Sequence, residues 1–157
     1  MNIFVTDPSF YKSAIALDDR RLIKMILETA QLLSGAVRLK SVFVPSILYK
    51  LTHENHPCAI WARENIWNFL WLAEHGLSLA EEYSRRFNKI YKSEKVIVEC
   101  FEFSENLLEA KGISDFVNCT PYKELPVFEA YKQTLRDKWI LDGTRAKWTN
   151  ANPPEWK

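Results

Sequence analysis

The chain has 157 residues, a length that fits one domain with its own hydrophobic core. Its four glycines form neither a GxGxxG motif nor a phosphate-binding P-loop, which argues against an enzyme with a nucleotide-binding fold. A net charge of +1 gives no overall attraction to nucleic acid or to a membrane, so any such contact must come from a local patch.

The first residues, "MNIFVTDPSF", lack the basic and apolar regions of a signal peptide, and no apolar run approaches the ~20 residues of a membrane helix. The three cysteines are odd in number and scattered, which fits reduced thiols better than a disulfide framework. The sequence therefore predicts a cytoplasmic protein (in the host cytoplasm if its source is viral) that makes no membrane contact.

The first predicted element is a short extended apolar segment over residues 1–5, followed by a turn at Asp7-Pro8. A long helix is predicted over residues 18–38, where Asp18 or Asp19 can cap the N-terminus. Its inward face is predicted from helical spacing to contain Leu22, Met25, Ile26, Thr29, Leu33 and Ala36.

Residues 41–50 contain Pro45 and are predicted to be irregular or one short helical turn. A second long helix is predicted over residues 57–88, with Asn55 as its cap and a break or kink at Gly76. Its pattern predicts a mostly inward face made of Ile60, Trp61, Ile66, Trp67, Leu70, Trp71, Leu77, Ala80 and Tyr83.

Two further helices are predicted over residues 94–110 and 126–141, the first of them capped by Ser93. Residues 144–157 have no helical period and contain two adjacent prolines, so they are predicted to be irregular. Together these elements predict an all-α fold: one compact domain over residues 1–157, with about four long helices and an irregular aromatic and basic C-terminal tail.

One flank of the first long helix carries Arg21, Lys24, Glu28 and Gln31, and their spacing puts them on a single face. On a solvated flank, Lys24 and Glu28 would form an ordinary i,i+4 pair worth a few tenths of a kcal/mol. Alternatively, a carboxylate that is half-covered by large apolar residues and set beside two cations is suited to act as an acid, a base or an electrostatic stabiliser.

The segment "THENHPC" brings His53, His56 and Cys58 close together in the sequence. Their spacing matches no paired zinc framework and no second Cys/His cluster follows, so the sequence predicts no metal. Because the segment leads into a helix N-terminus, two interpretations stay open: contact with a phosphate through free backbone N–H groups, or capping with no ligand.

The C-terminal segment from Tyr131 to Lys157 has a local charge of +3 and interleaves aromatic with basic residues. Cations can follow a phosphate backbone, and exposed aromatic rings can stack on bases. The alternative is a tail whose tryptophans anchor it to the core. The residues concerned are Tyr131, Lys132, Arg136, Lys138, Trp139, Arg145, Lys147, Trp148, Trp156 and Lys157.

Three stretches of the chain carry a resemblance to a known family. Residues 19–28, "DRRLIKMILE", place Asp19 nine residues before Glu28; "GAV" follows at 35–37, and "LAEEYSRRFN" stands at 79–88. This pattern, with the aromatic and basic tail, resembles the pyrimidine-dimer DNA glycosylases and AP lyases of the phage endonuclease V type. In that family an Asp lies nine residues before the catalytic Glu.

The resemblance implies a compact all-α enzyme that cleaves the N-glycosidic bond of damaged or modified pyrimidines in double-stranded DNA, as a monomer and without a cofactor. In the family, the α-amine of the first residue attacks the sugar C1′ and forms the Schiff base that permits AP-lyase activity. α-Amines have pKa values near ~8, so a neutral fraction exists at physiological pH. The Glu that corresponds to Glu28 stabilises the charge that develops on the sugar.

By this resemblance the predicted catalytic residues are Met1, Asn2 and Glu28. Asn2 is too large for ready removal of the initiator Met, so the amine would be that of Met1 unless processing is unusual. We expect this amine to lie within several ångströms of Glu28, and Lys147 and Trp148 to lie near the same groove. The predicted DNA-binding residues are Arg20, Arg21, Lys24, Gln31, His56, Arg136, Lys147 and Trp148.

The sequence departs from the family pattern on both sides of the Glu. The family's Arg immediately before it is Leu27 here, and the Arg three residues after it is Gln31. These departures keep the carboxylate but change its cationic setting. Two alternatives therefore stay open: a related viral enzyme that modifies a DNA base or nucleotide, and a non-catalytic DNA-binding module on the same scaffold.

Overall fold

The computed structural model describes all 157 residues and is all-helical, as the sequence predicts. The elements in chain order are α1 (Phe10–Ile15), α2 (Asp19–Lys40), α3 (Pro57–Ala62), α4 (Ile66–Phe87), α5 (Glu94–Glu102), α6 (Val127–Asp142) and a 3-10 turn (Gly143–Arg145). No helix is both long enough and apolar enough to cross a membrane.

The centre of the molecule is the packing of α2 against α4, with α5 in contact with both and α1 lying on α4. All six residues of the predicted inward face of α2 are buried, which confirms the helical spacing. The helices approach closely at Gly76, where an added Cβ would lie 2.7 Å from the Thr29 Cγ2 atom. Glycine at this position therefore serves close packing, and α4 continues through it without the predicted break.

The break in the predicted second helix lies instead at residues 63–65, between α3 and α4. Asn65 has an extended backbone, and its side chain accepts hydrogen bonds from the N–H groups of Trp67 and Asn68, so a new helix begins there. The cap of α3 is His56 and not Asn55. Two residues predicted to face inward, Ile60 and Trp67, are exposed because α3 and α4 do not continue one helical face.

Three other predicted boundaries differ from the structure. Residues 1–5 form no regular extended segment, because Phe4 is in the left-handed region with φ of 55°. Helix α1 was not predicted. The helix predicted over 94–110 ends at Glu102, and Asn106 in the following turn has a positive φ of 59° that a helix does not allow.

Candidate active site

Glu28 lies where the buried face of α2 meets its outer face, and only 8% of the residue is exposed. Its Oε2 atom accepts a hydrogen bond of 2.9 Å from the backbone N–H of Asn2. Its Oε1 atom lies 3.9 Å from the α-amine nitrogen of Met1 and 3.4 Å from Lys24 Nζ. The carboxylate is thus covered by the chain's own N-terminus, and the amine lies within several ångströms of Glu28 as expected.

The N-terminal segment is held in this place by its own hydrogen bonds and by burial. The Asn2 side-chain oxygen accepts hydrogen bonds from the N–H groups of Ile3 (2.7 Å) and Phe4 (3.1 Å), which turns the chain tightly. Residues 3–6 are all buried, and the Phe4 ring meets Tyr131 of α6 edge-on at 6.1 Å. A terminus that is fixed in this way keeps the amine beside Glu28, whereas a frayed terminus would not.

His75 and Trp71 of α4 contact the backbone at Phe10 and Pro8, just after the buried N-terminal segment. The His75 Nδ1 atom is 2.9 Å from the Phe10 carbonyl oxygen, and the neighbouring Trp71 donates its indole N–H to the Pro8 carbonyl at 2.9 Å. Complete burial lowers the pKa of His75 to about 4, against the weaker opposing effect of its hydrogen bond with the Phe10 carbonyl. The imidazole is therefore neutral at pH 7. The sequence did not single out His75, because a histidine on the apolar face of a helix is its only sign.

His56 lies within electrostatic range of the amine and the carboxylate. Its Nδ1 atom accepts the Cys58 N–H at 3.1 Å and so caps α3, which agrees with the capping interpretation of this segment. The pKa of His56 is lowered, and burial is the largest cause. The charges of the Met1 amine and His53 lower this pKa further, whereas the Glu28 carboxylate raises it. The four residues Met1, Asn2, Lys24 and Glu28, with His56 nearby, are named the amine site below.

The other predicted DNA-binding residues on α2 differ in position. Gln31 is half-buried, one turn beyond Glu28. Arg20 and Arg21 lie at the start of α2, where both pair with Asp142, at 2.6 and 2.7 Å. The close contact with the Arg21 guanidinium is the main cause that lowers the pKa of Asp142. Asp142, which sequence reasoning did not single out, thus partly neutralises these two cations.

Lys147 and Trp148 also lie at the start of α2. The Lys147 carbonyl accepts the Asp19 N–H at 2.8 Å, and the Trp148 indole donates to the Ala16 carbonyl at 3.2 Å. Asp19 precedes Glu28 by nine residues, which is about 13 Å along a helix axis. The two tail residues therefore contact the chain at Ala16 and Asp19 and are not direct neighbours of the Glu28 carboxylate.

The aromatic residues of the tail form one cluster on α6. The Trp139 ring packs against Trp148 at 5.0 Å and stacks on Trp156 at 5.3 Å. Arg136 donates its Nε–H to the Trp156 carbonyl at 2.8 Å, and its guanidinium lies over the Trp156 ring. Arg136 thus holds the last residues of the chain against α6.

A second charged group, which we name the Arg86 clamp, lies deep between α4 and the start of α2. The Arg86 guanidinium is fully buried and donates to Glu82 (2.7 Å), Asp19 (3.1 Å) and the carbonyls of Leu17 and Ile15. Asp19 also accepts hydrogen bonds from Thr149. The Glu82 and Arg86 spacing of four residues was the only sequence signal for this arrangement.

One cluster of metal-ligating side chains lies beside the amine site. Cys119 brings its Sγ atom to 3.6 Å from that of Cys58, and with His56 the three residues place one ligand atom each within 4.8 Å of one another. The contact with Cys119, followed by burial, raises the pKa of the Cys58 thiol. The sequence predicts no metal, because its local spacing carries no sign that Cys119, 61 residues beyond Cys58, lies beside His56 and Cys58.

An all-helical domain that holds its terminal amine against a carboxylate has the groups needed for amine chemistry on a sugar. In a comparison with known families, the model described as pyrimidine dimer DNA glycosylase matches residues 1–94. This match spans more than half of the chain, which therefore belongs to the pyrimidine dimer DNA glycosylase family. Neither the comparison with curated proteins nor that with solved structures gives a match.

Family membership supports a DNA glycosylase role and implies binding to DNA. The matched residues contain the whole amine site and the Arg86 clamp. Cys119, Asp142 and the tail lie outside them. The part of the chain that the family describes is thus the part that brings the amine and Glu28 together.

Proposed function

We propose that this protein is a DNA glycosylase that excises damaged pyrimidines from double-stranded DNA, with the α-amine of Met1 as nucleophile and Glu28 as the carboxylate that stabilises the sugar. The observation that carries the proposal is the pairing of Glu28 with the N-terminus, 3.9 Å from the amine nitrogen and 2.9 Å from the Asn2 N–H. Hydrogen bonds of a catalytic site are often long before the substrate binds, so this distance suits the role.

In the proposed reaction the neutral amine attacks C1′ of the deoxyribose. The bond from C1′ to the base breaks, and the base nitrogen keeps the electron pair and takes up a proton; in a dimer the base stays joined to its neighbour by the cyclobutane ring. The C1′–O4′ bond then breaks and O4′ takes up a second proton. The amine nitrogen has by then lost its two protons, which leaves an imine between Met1 and C1′. Glu28 stabilises the positive charge on the sugar by its negative charge, because the site is shielded from water.

The imine also permits AP-lyase chemistry. The proton on C2′ of an imine is acidic, and its removal expels the 3′-phosphate with the electrons of the C3′–O bond. Glu28 is the nearest carboxylate to the amine and is the base that we propose for this proton transfer. Asn2 holds Glu28 by its backbone N–H, so we assign it a positioning role in the proposed reaction.

The proposed DNA-binding face runs along the outer side of α2. Arg20 and Lys24 are exposed one turn apart, and Lys147 is exposed beside the start of the helix. Cations at this spacing can contact successive phosphates and hold the sugar over the amine site. His56, Gln31, Arg21, Arg136 and Trp148 are further members of this proposed interface, each with an additional structural contact or a half-buried position.

We propose further that residues 1–157 act as a single domain and as a monomer. The single domain is supported by contacts that join the tail to the family-matched part, such as the Asp19 N–H to the Lys147 carbonyl and Trp148 to Ala16. The Phe4 contact with Tyr131 similarly joins the N-terminal segment to α6. Separation of the two parts would expose these buried contacts.

The test is a glycosylase assay on three otherwise identical duplexes: undamaged, with a single cyclobutane pyrimidine dimer, and with a single abasic site. We expect cleavage of one N-glycosidic bond in the dimer duplex, seen as enzyme-dependent strand breaks after alkali, and no such breaks in the undamaged duplex. At the abasic site we expect enzyme-dependent strand cleavage without alkali. The Glu28→Gln variant should cleave the dimer duplex far more slowly. Glu81→Gln is its matched control, because it makes the same carboxylate-to-amide change at an exposed position of α4. An enzyme that leaves all three duplexes intact, although it binds them, would be a non-catalytic module and would contradict the proposal.

A further inference from the structure

Two thiols and an imidazole from distant parts of the sequence meet beside the amine site. His56 and Cys58 lie at the start of α3, whereas Cys119 lies in the irregular stretch between α5 and α6. Their ligand atoms lie within 4.8 Å of one another, and no carboxylate belongs to the group. The fold, and not the sequence spacing, creates this combination of soft ligands.

The distance between the two sulfur atoms fits a tetrahedral ion. With Zn–S bonds of about 2.3 Å at tetrahedral angles, two sulfur ligands lie about 3.8 Å apart. The Sγ atoms of Cys58 and Cys119 are 3.6 Å apart, so both thiols could bind one ion with little movement. Thiolate and imidazole together are a preferred ligand set for Zn²⁺.

We propose that His56, Cys58 and Cys119 form a Zn²⁺ site that joins the stretch between α5 and α6 to the start of α3. On binding, each thiol releases one proton and becomes a thiolate, so one Zn²⁺ replaces two protons and the metal with its two thiolates is neutral. A neutral site avoids the cost of a buried uncompensated charge. Water completes the fourth position.

The surroundings hold the ligands in place and leave one side open. Cys58 is fully buried, whereas His56 and Cys119 are half-buried, so an ion can enter from their side. The Tyr131 hydroxyl accepts the Cys119 N–H at 3.3 Å and donates to the Val117 carbonyl at 2.9 Å, which fixes the backbone around Cys119. If His56 binds through Nδ1, the Cys58 N–H that this atom now accepts must turn to water.

The experiment measures metal binding by the whole protein without DNA, so it is independent of the proposed glycosylase activity. Reduced, metal-stripped protein is titrated with Zn²⁺ against a chromogenic chelator, and with Co²⁺ as a spectroscopic substitute. We expect one equivalent of Zn²⁺, release of two protons in weakly buffered solution, and a sulfur-to-cobalt charge-transfer band. Zn²⁺ should also raise the melting temperature, because it binds only the folded protein.

Variants locate the ion. Cys58→Ser and Cys119→Ser should each weaken Zn²⁺ binding by at least about 100-fold. Loss of a residue that only supports a metal ligand weakens binding by up to about 100-fold, so loss of a ligand itself should have at least that effect. Cys100→Ser is the matched control: Cys100 is also a buried free thiol but lies on α5 outside the cluster, so binding should be unchanged. If a cysteine variant does not fold, His56→Asn tests the same site, since asparagine can still cap α3.

Three results would overturn the proposal. The first is wild-type protein that binds no stoichiometric Zn²⁺ while its thiols are reduced. The second is binding that survives in Cys58→Ser, Cys119→Ser and His56→Asn, which would place the ion elsewhere. The third is a protein that does not bind Zn²⁺ when reduced and that forms a Cys58–Cys119 disulfide on mild oxidation. This result would make the two cysteines a redox pair.

Discussion

Two buried carboxylates, Glu28 in the amine site and Glu82 in the Arg86 clamp, have different surroundings although their exposure is similar, at 8% and 6%. Glu82 accepts three hydrogen bonds of 2.7 Å from Arg85 and Arg86. Glu28 accepts one short hydrogen bond, from Asn2, and its two cations lie further away. A carboxylate can accept about four hydrogen bonds. Glu82 is thus nearly saturated, whereas Glu28 keeps capacity for a substrate.

The pKa of Glu82 reflects this saturation. Burial alone would raise the pKa of the Glu82 carboxyl, but the hydrogen bonds and charges of Arg85 and Arg86 outweigh it and lower the pKa. A group fixed in its charged form by arginines on its own helix is suited to hold the fold together. Burial of a carboxylate therefore does not by itself mark a catalytic residue. Unused hydrogen-bonding capacity beside the proposed nucleophile is the more informative feature.

The largest effect that the comparison predicts is on turnover by Glu28→Gln. The amide can still accept the Asn2 N–H but lacks the negative charge that stabilises the sugar in the proposed reaction. We therefore expect the rate of N-glycosidic cleavage to fall by about 10²–10³-fold, the range seen when one electrostatic stabiliser is removed. Single-turnover cleavage of dimer-containing duplex measures this. A variant that melts several degrees lower yet turns over normally would make Glu28 a structural ion-pair partner.

Glu82→Gln should have the opposite profile. Removal of the charge leaves the buried Arg86 guanidinium without its full partner, and breaking such a pair reduces the free energy of unfolding by about 3 kcal/mol. Activity per folded molecule should stay close to that of the wild type. Denaturant unfolding, followed by the assay at a temperature where the variant is folded, separates the two quantities. Loss of activity in a fully folded Glu82→Gln protein would mean that Glu82 is needed for activity as well as for stability.

A third prediction concerns acid, which should loosen the amine site through His75. The pKa of His75 is lowered from about 6.5 in the unfolded chain to about 4, so the unfolded state binds more protons between these values. This contribution to stability is complete above pH 6.5 and is lost as the pH falls toward 4. From pH 7 to pH 5 it amounts to about 2 kcal/mol.

The measurement is the free energy of unfolding at pH 7 and pH 5 for wild type and His75→Gln. The difference between the two pH values should be smaller in the variant by about 2 kcal/mol, whatever its stability at pH 7. Backbone hydrogen exchange at residues 3–6 should also rise in the wild type at pH 5, before that of α4. Equal pH dependence in both proteins would mean that His75 does not hold the N-terminal segment by staying neutral.

The smallest predicted effect is that of Lys24→Ala. Lys24 is exposed and its i,i+4 pair with Glu28 is worth only about 0.3–0.5 kcal/mol, so the fold should barely change. If Lys24 contacts one phosphate, the slope of log affinity against log salt should become shallower by about 0.9 on duplex DNA. Lys95→Ala is a suitable control, because Lys95 is exposed on α5 and belongs to no part of the proposed face. An identical salt slope in Lys24→Ala and wild type would remove Lys24 from the interface.

The sequence predicts those parts of the molecule that depend on local periodicity. The buried face of α2 follows from residues at helical spacing, and that same spacing singled out Glu28 beside Lys24. The position of the amine came from the resemblance to a family, because no local pattern says where a chain terminus packs. Gly76 was misread, since a glycine needed for close contact with Thr29 has the same sequence signal as a helix break.

What the sequence could not predict depends on contacts between distant residues. Cys119 meets Cys58 across 61 residues, and Asp142 meets Arg20 across 122. The saturation of Arg86 by carbonyls of residues 15 and 17 likewise requires the finished packing of α1 and α4. These pairings arise from tertiary structure, so single-sequence periodicity carries no signal for them.

The most direct test of the central claim, that the Met1 amine is the nucleophile, is trapping with borohydride. Hydride reduces the imine between C1′ and the amine to a stable secondary amine, so protein and dimer-containing DNA become covalently joined. We predict an adduct that peptide mapping places on the α-amine of residue 1 and that Glu28→Gln forms far more slowly. Efficient base release without any adduct, or an adduct on the Lys24 side chain, would contradict the account.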